Sequence, residues 1–293
     1  MDCMERKALA KHISSLVLFG FNGILASLIA LDSYEIVFLR TLLGSALLIA
    51  IFLIKREKSN IKGNGKDLAF VSLSGVAMGI GWMFMYEGYQ QVGVGLTTVL
   101  CYCGPVIVMA LSPVIFKEKI TWHVIAAFAV VMTGMILVSG PTIAGGGSSF
   151  GILCGIMTAV MYFFMIALNK RSEKITGFEN AVIQLTSAFI AVAVFLIARQ
   201  GFSLEVPSDA WPWILLLGLV NTGIGCYLYF SPLSRLRVQT VAVCGYIEPL
   251  SAVVFASLFL GETMTGPQAA GAALILGGAL FGELMRFRAA KHA

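Results

Sequence analysis

One carboxyl group stands where a charge is hardest to keep. Glu248 lies about ten residues into an apolar run that ends near Leu260, with Pro249 directly behind it. An ionised side chain at such a depth in a membrane span is costly, so it faces a cavity, holds a partner or stays protonated. Two readings follow. Either Glu248 binds an ammonium group or takes up a proton that couples to movement, or it bonds to backbone that Pro249 leaves unpaired. Pro105 and Pro249 each remove a helix hydrogen bond, and Gly104 loosens the chain further beside Pro105. Paired breaks of this kind serve as hinges at a binding site, or simply as packing kinks.

Rings cluster around these positions. Trp82, Tyr86 and Tyr89 recur at helical spacing on one face, and Tyr102 and Tyr246 each stand three residues ahead of a proline. Aromatic faces can wall a cavity or cage a cation, and they can equally be packed core. Tyr89, near the end of its span, suits an interfacial belt. Asn22 and Asn221 are polar groups inside apolar runs; each contacts a solute or bonds across helices, and Asn22 lies deeper. Arg40 is expected to pair with Glu35 or to extend its guanidinium to the interface, with solute binding the less favoured role. Glu87 could gate or pair with Arg40. Glu118 and Glu262 lie at span boundaries just before the expected helix N-caps Thr121 and Thr265 and read as structural.

The elements that position these residues follow from hydropathy. Of 293 residues, 58% are hydrophobic and 12% charged, with a mean hydropathy of +0.90. A soluble domain carries about a quarter charged residues, so lipid is the solvent that suits this chain. Spanning the hydrocarbon takes about 20 apolar residues. Runs of that kind lie near 13–31, 34–54, 68–87, 93–116, 122–140, 150–169, 178–198, 211–231, 238–260 and 267–285. The first follows basic Arg6, Lys7 and Lys11 as a signal peptide would, but it is too long for a signal core and reads as the first span. With both termini inside, eighteen of the 20 Lys and Arg fall in inner loops or tails, leaving Arg199 outside and Arg40 within a span. Ten helices with cytoplasmic termini is the expectation. The basic residues sit in short loops with no reading face among them, so nucleic acid is excluded as a partner. The cysteines show no zinc spacing. No cofactor motif and no Walker-type phosphate loop is present.

Sliding the chain on itself by 144 residues pairs Gly79-Ile80-Gly81 with Gly223-Ile224-Gly225, Tyr102 and Pro105 with Tyr246 and Pro249, Glu118 with Glu262, and Glu35 with Glu179. Tyr, Pro, Glu and Gly in one register argue for duplication. Each half has five spans, an odd number, so the second enters the membrane inverted. The expected fold is an all-α integral membrane protein of two inverted five-helix repeats, residues 1–141 and 151–293, joined by a Gly-rich linker at 142–150. Inverted repeats are typical of secondary transporters.

The stretches from Pro105 through Phe116 and Glu118 to Thr121, and from Glu248-Pro249 through Leu260 to Glu262, resemble the EamA-type members of the drug/metabolite transporter superfamily. The resemblance extends over nearly the whole chain and takes in Tyr162 of the sixth span and Arg40 of the second, although Glu35 stands where that family would have a Pro. It implies a carrier of small solutes, commonly amino acids or other amphiphilic metabolites, often moved outward. It also implies a central cavity lined by the first, third, fourth, sixth, eighth and ninth helices. The candidate binding residues are then Asn22, Trp82, Tyr86, Tyr102, Tyr162, Tyr246 and Glu248, with Gly104, Pro105 and Pro249 as hinges. The expected partners are a small-molecule substrate, protons and the lipid of a cell inner membrane. An organic-cation carrier driven by protons is the alternative. A membrane enzyme is disfavoured, because only four Asp are present and the three His lie far apart.

Overall fold

In the computed structural model the described residues are 3–57, 59–104, 107, 122, 125–126, 129–134, 136–137, 148–201, 204–230, 244–245 and 247–292, and none of them is in a strand. The first span is two helices, α1 (Cys3–Gly20) and α2 (Asn22–Ser27), with a turn at Phe21. Then come α3 (Ser33–Ile54), α4 (Gly65–Val92) and α5 (Val94–Cys101). In the second half, α6 (Ser149–Asn169) and α7 (Gly177–Gln200) precede α8 (Trp211–Leu215). From α8 the chain passes into a π-helical segment, Leu216–Ile224, before α9 (Gly225–Phe230). Helices α10 (Ile247–Leu260) and α11 (Gly266–His292) complete the order.

Among the described residues, six stretches are long and apolar enough to cross a membrane: Arg6–Ser27, Ser33–Ile54, Gly65–Val92, Ser149–Asn169, Gly177–Gln200 and Trp211–Tyr229. Leu250–Leu260 and Gly266–Gly282 are shorter apolar helices. The chain is an all-α integral membrane protein. The expected spans at 93–116 and 122–140 lie only partly within the described residues, as does the linker, where the Ser148 hydroxyl caps α6 by accepting the Gly151 N–H at 3.1 Å. Large apolar side chains such as Ile54, Val194 and Leu258 point outward, as lipid requires.

The two halves interleave. Helix α4 of the first half packs along α6 and α7 of the second, α3 along α7 and the π-helical segment, and α1 along α10. Lipid supplies no hydrophobic drive for this, so close backbone approach and buried hydrogen bonds must do it. Gly79 shows the first: a Cβ there would lie 2.9 Å from the Ala188 carbonyl oxygen. Ser74 shows the second, donating to the Met165 carbonyl at 2.7 Å and accepting from Gln184 Nε2 at 2.6 Å.

Helix ends explain two carboxylates. Asp32 caps α3 by accepting the Tyr34 N–H at 2.9 Å, and Glu35 closes the capping box by accepting the Asp32 N–H at 3.2 Å. Glu35 also accepts from Gln200 Nε2 at 2.9 Å. It is therefore not the partner of Arg40, as the sequence led us to expect.

Candidate functional site

Helix α5 stops at Cys101, and Tyr102 and Cys103 form a turn. Pro105 has no N–H to offer the Cys101 carbonyl four residues back. The chain tightens instead, the Tyr102 N–H reaching the Val99 carbonyl at 3.2 Å and the Cys103 N–H reaching that of Leu100 at 3.1 Å. This turn directs Tyr102 toward the start of α10, where its hydroxyl is within hydrogen-bonding reach of the Glu248 carboxyl. Two residues on, a Cβ at Gly104 would lie 2.9 Å from Cδ1 of Tyr162. The missing side chain is what lets the Tyr162 ring of α6 lie against this backbone. Four residues proposed from sequence (Tyr102, Gly104, Tyr162 and Glu248) thus meet, one pair from each half of the chain. Tyr102, Tyr162 and Glu248 keep part of their surface open.

A second cluster corrects the expectation for Arg40. This side chain is 1% exposed, about 10 Å along the helix axis from Ser33, and does not extend to an interface. Its Nε–H donates to Thr222 Oγ1 at 3.0 Å and its Nη1 to the Tyr86 hydroxyl. The guanidinium carbon stands 4.5 Å from the centroid of Trp82 and 5.0 Å from that of Tyr86. Thr222 can receive it because the π-helical segment turns the Thr222 hydroxyl onto the Leu217 carbonyl, five residues back, at 2.8 Å. Single π turns of this kind recur at functional sites.

The guanidinium of that cluster is compensated without a counter-charge. Burying an unpaired ion costs several kcal/mol even after relaxation. A desolvated ring returns about 2 kcal/mol, and a hydrogen bond to a charged group about 1.5–3 kcal/mol. Rings and hydroxyls hold the guanidinium in place and leave its charge uncancelled. Among the described residues no carboxylate forms an ion pair with Arg40. Glu248 lies near enough for the two charges to attract, yet no ion pair joins them.

The remaining candidates are placed as follows. Trp82 and Tyr86 share a face, as expected, and that face holds Arg40. Tyr89 packs into the core, its ring 5.3 Å from that of Tyr86. Asn22 is buried on α2, and its Oδ1 has no hydrogen-bond partner among the described residues. Asn221 donates to the Leu18 carbonyl, bonding across helices. Glu87 accepts from Ser33 and Gln91 and does not meet Arg40. Pro249 lies within α10. Pro105 and Tyr246 fall outside the described residues. Sequence reasoning gave Arg40 the wrong partner and did not single out Thr222. The signal was an Arg in a span facing a polar Asn221-Thr222 step between Gly218 and Gly223.

The model of the EamA-like transporter family matches the chain twice, over residues 7–140 and 149–282. An uncharacterized transporter of Archaeoglobus fulgidus is 27% identical over 286 residues, 95% of this chain and 96% of that protein. One of Bacillus subtilis is 23% identical over 277 residues, covering 92% and 88%. A protein of Streptantibioticus cattleyicolor named "Probable terminal-alkyne amino-acid exporter" is 27% identical over 222 residues, 73% of each chain. A solved crystal structure has a similar fold, with a TM-score of 0.62 at 15% identity over 95% of this chain and 98% of its own.

Proposed function

This chain belongs to the EamA-like transporter family, and we propose that within it the protein is a secondary carrier exporting a small amphiphilic metabolite, an amino acid or a related amine. In this reading ten helices form two inverted five-helix repeats around residues 142–150, with both termini cytoplasmic in a cell inner membrane. Alternating access then rocks one repeat against the other about a site between them.

The observation that carries the reading is the meeting of Tyr102 and Gly104 from the first half with Tyr162 and Glu248 from the second. A group contributed by both halves senses their relative movement, and a carboxyl among rings can take an ammonium or a proton. Trp82, Tyr86 and Asn22 complete the proposed lining, with Tyr246, Pro105 and Pro249 placed by the repeat register. The Streptantibioticus relative supports an amino acid as cargo. The same carboxyl and rings also favour a second reading, a proton-coupled carrier of organic cations.

The test is counterflow. Purified protein in liposomes preloaded with an unlabelled amino acid should accumulate the labelled form transiently and saturably. Passive, unsaturable leak of every compound tried would remove the carrier reading.

A further inference from the structure

We propose that Arg40 is the group that receives the substrate's carboxylate, which makes this carrier selective for carboxylate-bearing solutes. The inference rests on the carrier reading above and adds a substrate class to it. A guanidinium has five N–H donors in a planar fork shaped for two oxygens. Thr222 and Tyr86 take two of these donors, and among the described residues none of the other three has an acceptor. Both bound acceptors are neutral oxygens, so the positive charge is positioned without being neutralised.

The surroundings fit a held receptor better than a structural ion. Among the described residues no carboxylate pairs with Arg40, and Glu35 and Glu87, the two that the sequence offered, are both engaged elsewhere. Trp82 and Tyr86 stack on the guanidinium and fix its plane. Thr222, which accepts the Nε–H, lies within the π-helical segment Leu216–Ile224. Glu248 supplies the complementary end: it is near enough to Arg40 for opposite charges to attract, and the two do not form an ion pair. A zwitterion has the matching arrangement, its carboxylate at Arg40 and its ammonium at Glu248. A bare organic cation would bring a second positive charge toward Arg40 and leave the guanidinium without a counter-charge.

Competition in proteoliposomes tests this, using labelled proteinogenic amino acids as probes and setting each against its own methyl ester and its decarboxylated amine. The ester keeps the ammonium and the side chain but cannot accept an Arg fork. Wild-type protein should prefer the acid over the ester by tenfold or more. Arg40→Lys keeps the charge and the fold but not the fork, and should bring that ratio toward one. A purely structural Arg40 would lower protein yield or Tm without changing the ratio. Esters or amines competing as well as acids, or an unchanged ratio in Arg40→Lys, would overturn the assignment to Arg40 while leaving a carrier, then one for cations. Absence of counterflow with acids, esters and amines alike would overturn the carrier reading itself.

Discussion

The carboxylate of Glu262 accepts the backbone N–H of Gly95 at 2.8 Å, and that of Val94 at 2.7 Å. A turn after α10 in the second half thereby caps the first turn of α5 in the first. Helix N-termini leave such N–H groups unpaired, and an anion there also meets the positive end of the helix dipole. Glu262 is structural, as the sequence suggested, but the helix it serves is remote and not the one that follows it. Thr265 is engaged instead with Gln268 Oε1, at 2.9 Å from its backbone nitrogen.

Removing this clamp should loosen the two halves. Glu262→Ala is expected to cost about 2 kcal/mol, the range of a lost charged cap. Thermal unfolding of the detergent-solubilised protein should show it as a lower Tm, with ligand binding retained below that temperature. An unchanged Tm would mean that solvent satisfies α5 equally well.

Glu248→Gln keeps the shape of the side chain and can still bond the Tyr102 hydroxyl, but it can neither ionise nor titrate. The variant is expected to fold, to lose most transport in proteoliposomes, and to lose whatever dependence on pH the wild type shows. Transport at the wild-type rate with the same pH profile would reduce Glu248 to a packing partner of the Pro249 step.

Gly104→Ala places a methyl group 2.9 Å from Tyr162, closer than packed carbons tolerate. Overpacking of this kind costs about 1–3 kcal/mol. Transport should fall because the Tyr162 ring is displaced. The Gly104→Ala/Tyr162→Ala double variant should be less impaired in stability than the sum of the two singles, as expected for residues in contact. Strict additivity would show that the two do not interact.

Tyr102→Ala distinguishes a ring that lines a cavity from one that fills a core. A lining ring contributes to substrate binding, so binding should weaken while Tm stays near the wild-type value. A core ring would leave a void, costing about 3–5 kcal/mol for an aromatic side chain, and would lower Tm without selectively affecting binding.

The proposed orientation rests on the Lys and Arg distribution. Cysteines introduced at Gly146 and Asp209 should react with an impermeant maleimide from outside intact cells, and one at Lys62 should not. The reverse pattern would invert the topology.

Hydropathy, loop charge and the 144-residue register are local or self-referential properties, so the chain alone conveys them. They were enough to read an all-helical membrane protein, two related halves, and an exceptional carboxyl at Glu248. They could also pick out Tyr102 and Gly104, because a proline break announces itself in the sequence. Side-chain partnership is different in kind. Arg40 is bound by residues 46 and 182 positions away, and Glu262 caps a helix 167 residues upstream. A rotation of α3 by one residue, about 100°, would have turned Arg40 to another neighbour with the same hydropathy profile. The nearby Glu35 made the obvious partner on paper, but the N-terminus of α3 claimed it, since unpaired backbone N–H groups at a helix end bind an adjacent carboxylate at little entropic cost. The π turn at Leu216–Ile224 was equally hidden, because one extra residue in a helical turn leaves no mark on composition. Packing of α3 against the second half decided what Arg40 holds, and with it the charge that a substrate has to meet.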